Sequence, residues 1–442
     1  MRQRTPGARP VAKSHASAAA ELLAPPRLAL ALSGGGDSTA LLLALRSVHP
    51  EIPLIALIVD HGLRAGSAAE AETACRLAED AGAKARILRW SDPRPGQAHA
   101  RKARHRLLAS AARAFGADLI CFGHTQDDRI ETLRMRARRA GPEARMAGPR
   151  ALDPSPVWPE GRDMTIARPL LGLSRADLRN YVQLCGLSWI EDPSNDDPAY
   201  ERVRLRSAPS GGAEVVALLR RSDAATRVRD ALNSQAFELI GAGAGLAPWG
   251  GARLDRHLFA SATPAVAAKA VESLILAASG CEQPPKPDAV MSVLSALNSG
   301  SAATCGGAHL TADGWLGRDP GAAGRADGAG RARPVRLDRD GEGVFDGRWH
   351  VRTRRPAQID VLGARTASLA PDVPASLRPG LAAISEPGER EPYAVLGVGD
   401  CAPGGLLWAS RIKTRLLPPE PPTWFDGESI AAHVRAALAK AG

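Results

Sequence analysis

The 442-residue sequence predicts an α/β protein, a parallel sheet flanked by helices at the N-terminal end, followed by a helical domain and a small mixed C-terminal domain. Two observations carry the first part. Short apolar runs alternate with longer amphipathic ones from Arg27 onward, the pattern of βαβ units. Chemistry-bearing residues also cluster just after several of the apolar runs, and ligands of such sheets sit beyond the carboxyl ends of the strands.

Taken in order, residues 1–25 read as a basic arm. Leu28–Leu32 is a buried-strand candidate, Ser38–Ser47 a helix and Leu54–Val59 a second strand ending in Asp60-His61-Gly62. Ser67-Ala68-Ala69-Glu70 has the form of a capping box and opens a helix running to about Ala81. Lys84–Trp90 is a third strand, Gln97–Phe115 a long helix and Asp118–Phe122 a fourth strand, after which Thr125 and Asp128 open another helix. Gly141–Gly161, rich in Pro and Gly, reads as a loop, and a helix is expected near Ser174–Cys185. The resulting partition is a catalytic domain over 26–206, a helical domain over 207–316, a Gly/Ala/Arg linker over 317–334, and a C-terminal domain over 335–442 with strand-like pieces at His350–Thr353 and Ala394–Val398.

Composition sets limits on function. The formal net charge is +10, a balance that suits a polyanionic partner, nucleic acid being the commonest. The cysteines are scattered with no CxxC, which argues against a disulfide framework, a zinc knuckle or an iron–sulfur site and fits a reducing, cytoplasmic compartment. No apolar stretch is long enough to span a bilayer.

The first strand runs into Ser33-Gly34-Gly35-Gly36-Asp37-Ser38. A glycine run ahead of a helix lets backbone N–H groups and the helix N-terminus hold phosphate without a lysine. Asp37 would repel bare phosphate, so its presence implies a bridging Mg²⁺. That arrangement suits holding pyrophosphate as a leaving group, which makes AMP the product.

S-G-G-x-D-S resembles the signature of PP-loop (N-type) ATP pyrophosphatases. Asp60-His61-Gly62-Leu63-Arg64 with Ser67 and Glu70, Gln97-Ala98-His99-Ala100-Arg101, and His124-Thr125-Gln126-Asp127-Asp128 with Glu131-Thr132 and Met135-Arg136 narrow the match. Arg168-Pro169-Leu170-Leu171, Arg175, Tyr181 and Trp189-Ile190-Glu191-Asp192-Pro193-Ser194-Asn195 follow in order. Together they resemble the tRNA(Ile)-lysidine synthetases over roughly residues 27–206. Departures are Arg129 where Gln is common, a glycine stretch reduced to Gly141-Pro142, and Val203-Arg204-Leu205-Arg206 in place of N-R-x-R.

The resemblance implies ligation of L-lysine to C2 of the wobble cytidine in the CAU anticodon of tRNA(Ile), with ATP consumed to AMP and pyrophosphate. The tRNA then reads AUA and is charged with isoleucine. It implies ATP and Mg²⁺ held by Ser33, Gly34, Gly35, Gly36, Asp37, Ser38 and His61, with Asp37 and Asp127 toward the metal. Asp37, Asp127, Asp128 and Glu131 would be catalytic, and Arg101, His124, Arg168, Glu191, Asp192 and Asn195 would meet substrate. Asp127, Asp128 and Glu131 fall at i, i+1 and i+4 of one helix; such crowded carboxylates need cations between them. Arg101, Arg104 and Arg106, and Arg134, Arg136, Arg138 and Arg139, form basic clusters of which a subset is expected to meet tRNA. The rival readings are a cytidine thiolase, for which no cysteine pair is present, and a non-catalytic RNA-binding relative, which would gain nothing from four carboxylates facing polyanions.

Overall fold

The computed structural model describes residues 26–62, 66–91, 96–138, 146–191, 211–324, 332–364, 367–398, 416 and 422–441. The basic arm and the Val203–Arg206 segment fall outside the described residues.

The catalytic domain is built on a six-stranded sheet. Its strands are β1 (Leu28–Ala31), β2 (Leu54–Asp60), β3 (Lys84–Arg89), β4 (Leu119–Phe122), β5 (Leu152–Pro154) and β6 (Thr165–Ala167). The order is β3-β2-β1-β4-β6-β5, parallel except for β5. β1 and β4 are buried along their whole length, which is why they read as unbroken apolar runs instead of alternating ones. Helices α1 (Gly36–Val48), α2 (Ser67–Asp80), α3 (Gln97–Phe115), α4 (Gln126–Arg138) and α5 (Arg175–Leu184) cover the sheet. Strand order reverses between β1 and β4, so the loops leaving those two strands flank the switch point where ligands of such sheets bind. The loops approach closely: a Cβ on Gly123, just past β4, would lie 2.8 Å from the Asp37 carbonyl oxygen at the start of α1.

The capping box expected at Ser67–Glu70 does not form. Gly66, at φ 95°, takes the N-cap position of α2, and no side chain caps it. The Ser67 hydroxyl instead donates to Asp60 Oδ1 at 2.7 Å, an oxygen that also accepts from the Gly62 N–H at 3.0 Å. A tertiary carboxylate has outcompeted the local partner.

The region read as helical contains helices α6 (Gly212–Gly243), α7 (Arg256–Ser261), α8 (Pro264–Ser279) and α9 (Pro287–Ser299). It also carries a five-stranded antiparallel sheet of β7 (Ala244–Leu246), β8 (Ala252–Leu254), β9 (Ala303–Cys305), β10 (Ala308–Leu310) and β11 (Trp315–Arg318). The expected linker at 317–334 is in part structural: Arg318 ends β11 and is buried, and Ala323 and Ala332 sit in the core of the domain that follows. That domain includes β12 (Val335–Leu337), β13 (Glu342–Phe345), β14 (Trp349–Arg352), β15 (Ala357–Val361), β16 (Ala382–Ser385) and β17 (Ala394–Val395). The last helix, α10 (Gly427–Ala441), does not join it. Phe425, Ile430, Ala431 and Val434 pack into the catalytic domain's core with Leu41, Leu45, Leu178 and Val182. Among the described residues no helix is long and apolar enough to cross a membrane.

Candidate active site

The loop after β1 is fixed by its own short side chains. Ser38 Oγ accepts from the Ser33 N–H at 3.2 Å, lies 3.0 Å from Ser33 Oγ and donates to the Gly35 carbonyl at 3.0 Å. Gly34 has φ +81°, and a Cβ there would lie 2.5 Å from Ile190 Cδ1. Its carbonyl accepts the Ile190 N–H at 2.9 Å, so the segment around Trp189–Glu191 lies along the loop. Gly35 caps α1 with no side-chain hydrogen bond. The first turn of that helix therefore offers uncapped N–H groups and the positive end of its dipole, a ready anion site.

Three helix N-termini meet here. The α4 entrance is closed by Asp128, whose Oδ2 accepts from Thr125 N at 2.8 Å and Thr125 Oγ1 at 2.9 Å. The α5 entrance has a complete capping box between Ser174 and Asp177. The two are tied together by the Gln126 N–H donating to the Leu173 carbonyl at 2.9 Å, and the Arg175 N–H donating to Asp127 Oδ2 at 2.8 Å.

The Arg175 side chain then enters the carboxylate cluster. Nε donates to Asp37 Oδ2 at 3.0 Å, Nη2 to Asp128 Oδ1 at 3.3 Å, and Nη1 lies 3.7 Å from Glu131 Oε1. The expected carboxylates are thus brought together, and the cation between them is a guanidinium. Burial pushes the Asp37 carboxyl above its ordinary range, against the pull of Arg175. Asp37 Oδ1 is buried with no partner. Arg175 was legible as a motif residue and carried no expected role. The available signal was its position just after an N-cap serine, at a helix mouth.

His124 and Arg168 form a second group. Arg168 Nε donates to His124 Nδ1 at 3.1 Å, and Nη1 reaches Asp153 Oδ2 at 2.7 Å and the Arg150 carbonyl at 2.9 Å. His124 stacks on Phe122 at 5.5 Å. Burial, then Arg168, lowers its pKa to about 3, and burial with the charges of Arg101 and Arg104 takes His105 equally low. Both imidazoles are neutral in a positive field, and His124 accepts through Nδ1. His61 stands apart, edge-on to Trp90, with Nδ1 buried and unpartnered and its pKa lowered by burial and by Arg104. Arg101 sits on α3, on the same side as His105 and His124. Glu191 accepts from Trp189 Nε1 at 2.7 Å, and Arg179 lies 5.5 Å over that indole. Asp192 and Asn195 fall outside the described residues. Several arginines of the basic clusters are engaged within the chain: Arg106 with Glu282, Arg134 with Glu214, and Arg136 with the Ala147 carbonyl.

As to metal, no three His, Cys, Asp or Glu side chains among the described residues converge on a geometry that could hold an ion. Asp127 has one oxygen committed to α5. A single buried, unpartnered carboxylate oxygen does fit Mg²⁺, which is normally held by one or two carboxylates together with substrate phosphates.

A PP-loop domain model matches residues 10–218. A tRNA(Ile)-lysidine synthase of Caulobacter vibrioides is 38% identical over 86% of this chain and 86% of its own length. One of Hyphomonas neptunium is 39% identical over 64% of this chain and 78% of its own, and one of Ruegeria pomeroyi 32% over 82% and 86%.

Proposed function

The chain belongs to the tRNA(Ile)-lysidine synthases, and from that premise we propose how its residues divide the reaction. It is an ATP-dependent ligase that forms lysidine on tRNA(Ile). In our reading the triphosphate lies on the uncapped N-terminus of α1, its β- and γ-phosphates against Ser33–Ser38. Asp37 Oδ1 would hold Mg²⁺, which when bound would neutralise charge on pyrophosphate. The wobble cytidine O2 attacks the α-phosphate and pyrophosphate leaves. The lysine ε-ammonium gives a proton to a carboxylate of the Asp128–Glu131 pair, and the free amine then attacks C2 as AMP leaves.

Asp128 and Glu131, carried on α4 and not on the phosphate-loop helix, receive the ammonium groups of lysine. The neutral His124, its Nδ1 occupied by Arg168, has its Nε2–H left to donate at the same edge. Arg101 and Glu191 flank the cytidine, and the enzyme works in the cytoplasm, where tRNA and ATP are its substrates. The observation that carries this reading is the unpartnered Asp37 oxygen beside an uncapped helix N-terminus. A reaction with tRNA, lysine and ATP should yield AMP and pyrophosphate, with labelled lysine entering the tRNA. ADP and phosphate as products would overturn it.

A further inference from the structure

Four carboxylates of the site are organised by one arginine. The Arg175 backbone holds Asp127, and its guanidinium spans Asp37, Asp128 and Glu131. The guanidinium cannot lose its charge, and its side chain is only 17% exposed. It takes Asp37 Oδ2 and leaves Oδ1 buried and unpartnered. Among the described residues the cluster is not pre-built for a metal. The charge that a metal would contribute is contributed by the chain.

We propose that Arg175 is an exchangeable counter-ion, a positioning residue that neutralises the cluster in the nucleotide-free enzyme and gives up Asp37 when a divalent cation arrives with the nucleotide polyphosphate. The inference rests on the reading that Asp37 meets Mg²⁺–ATP. Two cations sharing one carboxylate repel, and the repulsion is strong where solvent is largely excluded. A polyphosphate offers the guanidinium a better partner at the same moment, since its planar fork matches phosphate oxygens. The exchange needs no backbone motion. The Arg175 N–H stays on Asp127 and the Ser174–Asp177 box keeps the helix start in place, so the side chain pivots about a fixed anchor. The consequence is selective: metal without nucleotide meets an occupied cluster, whereas metal with nucleotide can displace the occupant.

A purely structural staple would behave differently. Losing a staple loosens the site and weakens every ligand, whereas losing a counter-ion strengthens the binding of bare metal. The test is Mn²⁺ titration of the full-length, nucleotide-free protein, followed by electron paramagnetic resonance. Arg175→Ala and Arg175→Gln should bind Mn²⁺ about tenfold tighter than wild type or more, the worth of one charge-assisted contact. Arg175→Lys, which keeps the charge, should stay close to wild type. Adding Asp37→Asn to Arg175→Ala should cancel the gain. Unchanged or weaker Mn²⁺ binding in the folded Ala and Gln variants overturns the proposal, as does loss of folding in both together with a folded Lys variant that binds as wild type does. A gain that survives Asp37→Asn leaves Arg175 a counter-ion and places the metal elsewhere, which separates this inference from the role given to Asp37.

Discussion

Asp37 and Glu131 face one guanidinium from different helices, and the proposed function gives them different work. Asp37 has a free buried oxygen at the mouth of the phosphate loop, and Glu131 is buried on α4 with its carboxylate toward Arg175. Asp37→Asn should therefore abolish both tRNA-dependent pyrophosphate release and lysine transfer. Glu131→Gln keeps the shape and removes the charge, which should lower lysine use about ten- to a hundredfold, the value of a charge-assisted hydrogen bond. Pyrophosphate release on first mixing should largely survive in that variant; simultaneous failure of both steps would assign Glu131 to the metal. The two neutral histidines give a pH signature. His105 and His124 stay unprotonated in the fold down to about pH 3, whereas in the unfolded chain they take a proton near 6.5. The unfolded state binds more protons in that window, so stability is full above the unfolded value and is lost as pH falls. Each histidine should cost about 1–2 kcal/mol between pH 6.5 and 5. Denaturant melts of His105→Gln should fall less steeply with acid than wild type over that interval, and parallel curves would refute the assignment.

The centre of the catalytic sheet could be read from sequence because β1, β4 and most of β2 are buried on both faces and appear as unbroken apolar runs. β5, by contrast, lies inside the 141–161 stretch expected to be a loop, and its three residues are too few to show a period. α3 matches its expected bounds, Gln97–Phe115, since Gly96 and Gly116 bracket it. Failures occurred where a tertiary partner replaced a local one, as Asp60 did for Ser67, or where strands of three or four residues, β7 to β11, are too short to show a period. The site was half legible. Three of its carboxylates, Asp127, Asp128 and Glu131, share one motif on one helix, but the cation of the cluster lies 47 residues from Asp128 and 138 from Asp37, beyond any local pattern. The contact between α1 and the β4 exit is equally non-local, and it is testable. A Cβ on Gly123 would press on the Asp37 carbonyl at 2.8 Å and on Ser38 Cα at 2.9 Å, backbone that cannot swing away. Gly123→Ala should cost about 1–3 kcal/mol, as overpacking does. Gly35→Ala is the control: its φ is −71° and the nearest atom to its Cβ is 3.6 Å away, so its thermal midpoint should stay near wild type. Equal destabilisation of the two would show that the close approach is not what Gly123 serves.

At the scale of the whole chain, the domains are tied by side chains on both sides of the catalytic unit. Arg129 and Arg150 pair with Asp223 and Asp230 of α6, and Arg106 and Lys102 pair with Glu282. The Trp158 indole donates to the Gly347 carbonyl, next to Asp346, which is buried between Arg318 of β11 and Arg348. The chain end makes a further tie. α10 returns to the catalytic domain and packs behind α1 and α5, the helices that bring Asp37 and Arg175 to the site. Ile430 and Val434 are fully buried there, and His433 Nε2 lies 3.1 Å from the Tyr181 hydroxyl on α5. Truncating Ile430 to Ala should destabilise the catalytic domain by about 2–5 kcal/mol, the range for emptying a packed aliphatic site. Its functional effect should be directional as well. If the triphosphate lies on α1 as proposed, Ile430→Ala should raise the KM for ATP more than the affinity for tRNA falls, since a phosphate-backbone contribution to tRNA binding weakens chiefly with salt. Calorimetric melts, ATP titrations and tRNA binding at two salt concentrations would decide it. A variant that melts with wild type would refute the packing role of Ile430, and one that loses tRNA affinity while its KM for ATP holds would show that α10 does not serve the nucleotide site.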